Sequence, residues 1–191
     1  MFGRRERQVH AAFDAVHRED FLPQDQRANA PLDRALPIGF GQTNSQPRTV
    51  ANMLSLLDVH AGMKVLDVGS GSGWTTALLG HLVGSEGSVS GVEIVPELVE
   101  WSRQNLAAYS MPWADIRQAT QDEYGLPAEA PFDRILVSAE AQTMPQSLVD
   151  QLGDDGVLVV PVAGRMLSVH RRKGDDVEVR QHGHYSFVPL R

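Results

Sequence analysis

The fold is decided by residues 65–74, which read VLDVGSGSGW. A mostly apolar run that contains Asp67 and ends at Val68 is followed by glycine at every second position from 69 to 73, so the stretch predicts a buried strand that turns tightly into a helix. Glycines adopt turn conformations that other residues avoid, and they leave no side chain between the loop amides and a bound ligand. The stretch therefore predicts a ligand-binding turn between a strand and a helix.

The spacing of these glycines separates two kinds of nucleotide-binding turn. The dinucleotide pattern Gly-x-Gly-x-x-Gly requires glycine at position 74, where this chain has Trp74. The pattern D-x-G-x-G-x-G over residues 67–73 instead resembles the turn of S-adenosylmethionine-dependent methyltransferases of the Rossmann-like class. Glu93 closes the next predicted strand, where a carboxylate can accept hydrogen bonds from both hydroxyls of a ribose. A tight connection without a ligand is the simpler alternative, and Glu93 favours a nucleoside site over it.

Length, charge and composition restrict the class of protein. A chain of 191 residues suits one α/β domain with a modest appendage, and the absence of cysteine excludes disulfides and thiolate-held zinc. The net charge of −7 argues against a broad nucleic-acid footprint. The sequence has neither an apolar run that could span a bilayer nor the apolar core of a signal peptide. We therefore expect a cytoplasmic protein with no membrane or nucleic-acid partner.

Helical and strand patterns alternate on both sides of the glycine turn. Apolar residues at helical spacing predict helices at residues 4–18, 48–57, 74–83, from 96 onward, and 146–152. Strand patterns occur at residues 64–68, 88–93, 115–118, 132–138 and 156–162, and a terminal hairpin is predicted at 166–172 and 177–185. The prediction is an α/β, Rossmann-like methyltransferase fold with a mostly parallel seven-stranded sheet, an antiparallel edge hairpin and helices on both faces.

The segment of residues 24–45 is predicted to be irregular because it is rich in Pro, Gly, Asn and Asp. Its apolar positions Leu32, Leu36, Ile38 and Phe40 favour a functional lid or wall over a flexible linker. We expect residues 1–191 to form a single methyltransferase domain in which residues 1–60 make a helical and loop cap over the active site.

Beyond the glycine turn, several stretches resemble the protein-L-isoaspartate O-methyltransferase family. They are FLP at 21–23, LPIGFGQTNSQP at 36–47, PFDRI at 131–135, GVLVVP at 156–161 and FVPL at 187–190. The resemblance extends from about residue 13 onward. It implies methyl transfer from S-adenosyl-L-methionine to the free α-carboxylate of an L-isoaspartyl residue, with S-adenosyl-L-homocysteine as the product. The methyl ester collapses to a succinimide that can reopen to a normal aspartyl bond, so the implied role is repair of damaged proteins or peptides by a monomer.

The resemblance also implies roles for individual residues. Ser45 falls on the family's active-site serine. The implied cofactor-binding residues are Asp67, Gly69, Ser70, Gly71, Gly73, Glu93, Ile94, Gln121 and Asp122. The implied substrate-binding residues are Gln42, Thr43, Asn44, Ser138, Ala139 and Val188. No metal is expected, because the seven histidines show no metal-ligand spacing.

The implied chemistry requires few catalytic groups. A carboxylate is already ionised at neutral pH, so no general base is needed to make the nucleophile. We hypothesise that the loop of residues 37–47 covers the site and that the Ser45 hydroxyl donates a hydrogen bond to the substrate carboxylate. The alternative for Ser45 is a helix N-cap, because it stands just before Gln46, Pro47 and a helical pattern. For Asp67 the alternative to a position beside the cofactor is capping of loop amides.

Some residues depart from the family pattern. Thr120-Gln121-Asp122 stands where the family usually has Gly-Asp-Gly, although Gln121 could pair with an adenine amino group. Asn44 replaces a branched apolar residue, and Arg48 and Glu140 fall where the substrate is expected. Three alternatives therefore stay open: a carboxyl methyltransferase with a different client, such as aspartate in a dedicated peptide; an RNA methyltransferase; and a cofactor-binding homologue without turnover.

Overall fold

The computed structural model describes residues 3–121, 123–173 and 176–191. The amino-terminal third contains two helices and a short antiparallel ribbon. These elements are α1 (Arg4–Ala15), 3-10 turns at Arg18–Phe21 and Gln24–Asn29, β1 (Leu36–Gly39), β2 (Gln42–Asn44) and α2 (Pro47–Leu57). The first helix is shorter than predicted, because Val16 adopts an extended backbone conformation and closes the helix through its amide on the Ala12 carbonyl.

The ribbon of β1 and β2 corrects the prediction that residues 24–45 are irregular. Leu36 and Ile38 are buried while their neighbours Pro37 and Gly39 are exposed, which is strand periodicity. The reversal uses positive φ angles from Gly39 to Gly41, and Phe40 at its tip has a φ of 54°. Turn-rich composition concealed a pair of strands that are only four and three residues long.

The remainder of the chain alternates strands and helices. It comprises β3 (Lys64–Val68), α3 (Trp74–Val83), β4 (Ser88–Glu93), α4 (Pro96–Ala107), β5 (Ala114–Gln118), a 3-10 turn at Pro127–Glu129, β6 (Phe132–Val137), α5 (Gln146–Val149), β7 (Leu152–Val162), β8 (Arg165–Arg171) and β9 (Val177–His184). The predicted seven-stranded sheet is confirmed, with the order β5-β4-β3-β6-β7-β8-β9. The first five strands in that order are parallel, and β8 and β9 form the antiparallel edge hairpin.

The boundary between α5 and β7 differs from the prediction. The helix ends at Val149, and the strand already begins at Leu152, which pairs with Phe132 before a shift in register. Leu152 is buried. A buried apolar residue fits the end of a helix as well as the start of a strand, so the sequence pattern did not fix this boundary.

Side chains that alternate along the central strands enter two apolar clusters, one on each face of the sheet. Val65 belongs to the cluster under α1, α2 and α3, whereas Leu66 belongs to the cluster that includes Leu148 of α5. This alternation is expected of parallel strands buried on both faces. Among the described residues, the helices are too short or too polar to cross a membrane.

Candidate active site

A crevice opens at the carboxyl ends of β3, β4 and β6, beside the point between β3 and β6 where the strand order reverses. Strand β3 has β4 on one side and β6 on the other, so the chain leaves β3 towards one half of the sheet and later returns to the other half. Open α/β sheets bind ligands at such a switch point. The empty space of the crevice, which includes its open mouth, is about 650 Å³.

The glycine turn forms the floor of this crevice through Gly69 and Gly71. The Gly69 and Ser70 amides both donate to the Val92 carbonyl of β4, at 2.9 and 3.1 Å. Gly73 serves packing instead: a Cβ built there would lie 3.0 Å from Ile116 Cδ1, and the backbone has a φ of 91°. The turn is therefore tied to β4 on one side and allows close packing on the other.

Glu93 lies at the end of β4 and lines the crevice. Its side chain is 5% exposed, with Oε2 accepting from the Gly71 amide at 2.9 Å and Oε1 accepting from the Val95 amide at 2.9 Å. Each carboxylate oxygen has a second acceptor site. The carboxylate is thus fixed beside the glycine turn and retains capacity for hydroxyl groups of a ligand.

Asp67 is fully buried and does not cap loop amides in the observed hydrogen bonds. Its Oδ2 accepts from the Thr75 and Thr76 hydroxyls in the first turn of α3, both at 2.7 Å, whereas Oδ1 has no partner among the described residues. Burial raises the pKa of Asp67 to about 6, and the two hydroxyls only partly oppose that rise. The carboxylate joins β3 to α3 beneath the turn.

Ser45 is not the N-cap of α2, so the capping alternative is wrong. Gln46 holds that position, and its side chain makes no capping hydrogen bond. Ser45 is half-buried, and its carbonyl accepts from Arg18 Nη2 at 2.9 Å. It lies two residues after Thr43, which lines the crevice with Gln42.

Two departures from the family pattern have structural partners away from the crevice lining. Arg48 contacts Asp33 through its guanidinium at 2.5 and 2.8 Å, and its hydrogen bonds lower the pKa of Asp33. The Glu140 backbone pairs with the carboxyl-terminal tail, donating to the Val188 carbonyl at 2.7 Å and accepting from the Leu190 amide at 2.8 Å. The observed lining includes neither side chain, and their expected place beside the substrate stays a prediction.

The crevice collects a subset of the residues implied by sequence. Those that line it are Gln42, Thr43, Gly69, Gly71, Glu93, Ile94, Ser138, Ala139 and Val188. Those that lie outside the lining in the described part of the chain are Asn44, Ser45, Asp67, Ser70, Gly73 and Gln121. Asp122 is outside the described residues.

Sequence reasoning placed Gln121, Asp122 and Val188 in two segments near the site but missed the other residues of those segments that line the wall. The lining also contains Ala119, Thr120, Glu123, Tyr124, Gly125, Pro189, Leu190 and Arg191. Gln151 supports the first segment, because its side chain accepts from the Leu126 amide at 2.8 Å and donates to the Tyr124 carbonyl at 2.8 Å. The position after β5 was a usable signal, since the carboxyl ends of parallel strands converge on one edge of the sheet.

Known proteins are similar in sequence to this chain over almost its full length. The model of the protein-L-isoaspartate(D-aspartate) O-methyltransferase family matches residues 3–191. The protein-L-isoaspartate O-methyltransferase of Methanopyrus kandleri is 41% identical over 190 residues, which cover 97% of this chain and 84% of the relative. The enzyme of the same name from Methanocella arvoryzae is 42% identical over 181 residues, which cover 93% of this chain and 95% of the relative.

Solved structures show the same fold at lower identity. A protein-L-isoaspartate O-methyltransferase from Plasmodium falciparum, in complex with S-adenosyl-L-homocysteine, superposes with a TM-score of 0.81 at 24% identity, covering 96% of this chain and 90% of that chain. A second structure of that name gives a TM-score of 0.83 at 24% identity, covering 96% and 61%. The match of the family model and the identity to the curated relatives lead to one conclusion: this chain belongs to the protein-L-isoaspartate(D-aspartate) O-methyltransferase family.

Proposed function

We propose that this protein methylates the free α-carboxylate of L-isoaspartyl residues in damaged proteins or peptides, with S-adenosyl-L-methionine as the methyl donor. The observation that carries the proposal is the crevice at the switch point, whose floor is the glycine turn and whose side holds the Glu93 carboxylate. The curated relatives are named for this activity. The ester formed on the substrate collapses to a succinimide, which begins repair of the peptide bond.

The residues of the crevice fit the methyl donor. Glu93 supplies acceptors for ribose hydroxyls, and Gly69 and Gly71 leave room above the floor for a nucleoside. The Ser138 hydroxyl is buried and unpartnered within the described residues, and Ser138 lines the crevice, so its hydroxyl is a ready partner for a polar ligand group. Thr120 and Glu123 line the adjacent wall after β5, where we place the adenine.

The reaction needs alignment and a dry site more than it needs acid–base groups. When bound, S-adenosyl-L-methionine supplies an electrophilic methyl group on a positively charged sulfur. The substrate carboxylate is anionic at neutral pH, and its charge is cancelled as it attacks, which a site with little water favours. Correct orientation of two reactants can lower a barrier by on the order of 7–11 kcal/mol. The chain's own contribution is therefore to hold the two reactants and to exclude water.

Ser45 is the proposed catalytic residue, through a hydrogen bond that its hydroxyl donates to the substrate carboxylate. Its position supports the role, because Ser45 follows the crevice-lining residues Gln42 and Thr43. Its hydroxyl is also not used as the N-cap of α2, since Gln46 holds that position. We further propose that the amino-terminal segment of residues 1–60 acts as the cap of a single catalytic domain. Ile38 of β1 supports this, since its Cδ1 atom lies 3.3 Å from a Cβ built on Gly71.

Partners within the chain at two of the altered positions support the isoaspartyl client. Asn44 is 4% exposed and bonded to Arg18 and Ser72, and Arg48 is paired with Asp33. We propose a cytoplasmic monomer that acts on proteins or peptides and not on nucleic acid or membranes, which the net charge of −7 supports.

A paired-substrate assay tests the proposal. The full chain receives methyl-labelled S-adenosyl-L-methionine with an isoaspartyl peptide or with the ordinary aspartyl peptide of the same sequence. The expected result is base-labile label on the isoaspartyl peptide alone. Equal methylation of both peptides, or methylation of neither despite calorimetric binding of the donor, would overturn the proposed substrate.

A further inference from the structure

A buried arginine lies at the centre of the segment that carries Ser45. Arg18 is 7% exposed and begins the 3-10 turn of residues Arg18–Phe21. Its guanidinium donates to five backbone carbonyls, at distances of 2.7–3.2 Å. The carbonyls belong to Ala30, Leu32, Arg34, Asn44 and Ser45. One side chain thus fixes backbone positions that are spread over sixteen residues of the predicted lid.

Arg18 keeps its charge although its side chain has no hydrogen bond to a carboxylate among the described residues. The guanidinium carbon lies 5.4 Å from the centroid of the Trp74 ring, within the range of a cation–π contact. Burial lowers the pKa of Arg18 to about 10, while the more distant Asp33 opposes the change. The side chain therefore stays protonated at neutral pH. Hydrogen bonds to the backbone carbonyl oxygens compensate for the loss of water around its charge.

Asn44 extends this contact to the glycine turn. Its Oδ1 accepts from Arg18 Nε at 2.8 Å, and its Nδ2 donates to Ser72 Oγ at 3.2 Å. Asn44 and Ser72 are 4% and 2% exposed, so both hydrogen bonds are shielded from water. Hydrogen bonds in the protein interior are stronger than in water, and leaving their polar groups unpaired is more costly there. The polar side chain at position 44, which departs from the family pattern, connects the arginine to the turn on which the methyl donor is proposed to lie.

We propose that Arg18 is a positioning residue for methyl transfer, acting through Asn44 and Ser72 to hold the Ser45 segment in register with the glycine turn. The inference rests on the proposed function, because register matters only if Ser45 and the turn hold the two reactants. A misplacement of about 1 Å can cost on the order of a hundredfold in rate. Loss of Arg18 therefore affects turnover far more than it affects binding of the donor.

Chemical rescue distinguishes positioning from a general loss of folding. In Arg18→Ala, we expect kcat for the isoaspartyl peptide to fall at least about tenfold, while the Kd of S-adenosyl-L-homocysteine stays within about threefold of wild type. Guanidinium at concentrations far below those that denature should restore several-fold activity, because it fits the vacated space. Arg180→Ala is the control: that arginine is exposed on the edge strand β9 and outside the crevice lining, so its variant should keep its kcat and gain nothing from guanidinium. An Arg18→Ala kcat within twofold of wild type would overturn the inference.

Two milder variants decide the matter if Arg18→Ala does not fold. Arg18→Lys keeps the charge but lacks the planar fork, and Ser72→Ala removes the acceptor at the far end of the chain of contacts. We expect each to lower kcat several-fold without weakening product binding, and the double variant to lose less than the product of the two losses. Normal kcat in both single variants would contradict the positioning role.

Amide hydrogen exchange separates this inference from the proposed function. Exchange at residues 42–45 should be faster in Arg18→Lys than in wild type and unchanged in Arg180→Ala. If the wild type methylates no isoaspartyl peptide, the proposed function fails. If exchange at 42–45 is the same in all three proteins, the positioning role fails whatever the activity.

Discussion

At the scale of single residues, Ser45 gives a clean test because it neither caps a helix nor fills the core. Gln46 is the N-cap of α2, and Ser45 is half-buried beside it. We expect Ser45→Ala to change the free energy of unfolding by less than about 0.5 kcal/mol. Losing a hydrogen bond to a charged group, worth about 1.5–3 kcal/mol, should lower kcat by roughly 10- to 100-fold.

The control for this variant is Ser147→Ala, which removes an exposed hydroxyl far along the chain. Urea unfolding and steady-state kinetics measure the two effects on the same preparations. A stable Ser45→Ala protein with wild-type kcat would remove Ser45 from the catalytic role.

Asp67 predicts a specific pH dependence of stability. Its pKa is about 6 in the folded protein against 3.8 for an ordinary Asp, because the carboxyl group is fully buried. Folding therefore favours the protonated form, so the stabilisation is complete below about pH 3.8 and is lost as the pH rises through about 6. The loss corresponds to roughly 3 kcal/mol. Asp67→Asn cannot titrate and should lack this decline.

Urea unfolding of the unliganded protein between about pH 4 and pH 7 measures the difference. Relative to the wild type, Asp67→Asn should gain roughly 2.5 kcal/mol over that range. Asp154→Asn, an exposed carboxylate, is the control and should parallel the wild type. Parallel curves for Asp67→Asn and the wild type would contradict the raised pKa.

The sequence predicted the roles of some site residues and not of others. Glu93 and Gly71 could be assigned to the site because a local pattern and a fixed spacing placed them at strand ends. Arg18 and Gln151 were not, since each bonds to backbone groups of segments remote in sequence, and carbonyls carry no residue identity. Asn44 was recognised as a departure, but its partners became visible only in the folded chain.

At the scale of elements, Gly73 controls the approach of α3 to α4 and β5. A Cβ at this position would lie 3.0 Å from Ile116 Cδ1 and 3.2 Å from Ser102 Cβ, in addition to the cost of a φ of 91°. We expect Gly73→Ala to lower the free energy of unfolding by about 1–3 kcal/mol for strained backbone and by a similar amount for crowding.

Gly164→Ala isolates the backbone contribution to that loss. Gly164 has a φ of 79°, yet a Cβ there would meet nothing within 4 Å. Chemical denaturation should therefore find Gly73→Ala less stable than Gly164→Ala by about 1–3 kcal/mol. Equal destabilisation of the two variants would show that the close packing around Gly73 contributes nothing.

The sequence predicted helices and strands correctly where the apolar pattern was long. It failed where pairing with a strand remote in sequence set the boundary of an element. The helices and strands from β3 to β5 follow apolar periodicity and lie at or within a residue of their predicted starts. The α5–β7 boundary was set instead by pairing of Leu152 with Phe132, a partner twenty residues earlier in the chain. The β1–β2 ribbon depends on positive φ at Phe40, which composition does not reveal.

At the scale of the whole molecule, ligand binding at the switch point should stabilise the entire sheet. S-adenosyl-L-homocysteine at about 100 times its Kd should add about 2.7 kcal/mol to the free energy of unfolding, if the unfolded chain does not bind it. For a domain of this length, that corresponds to a rise in Tm of roughly 5–11 °C. Differential scanning fluorimetry measures the rise in Tm. Homocysteine alone, which lacks the adenosine group, is the control ligand.

Glu93→Ala should abolish most of that rise, because it removes the acceptors proposed for the ribose. A full rise in Glu93→Ala, or none in the wild type, would contradict the placement of the donor. The global topology behind this prediction was accessible from sequence, since strand and helix alternation with right-handed crossovers permits few sheet orders.

The wall of the crevice joins two stretches that are far apart in sequence, namely residues 42–43 and 188–191. During synthesis, the glycine turn and Glu93 leave the ribosome before residues 188–191 are translated. The nascent polypeptide therefore assembles its cofactor floor before this part of the wall. A protease that cuts within residues 188–191 would act on the active site directly, although it cuts far from the glycines in sequence.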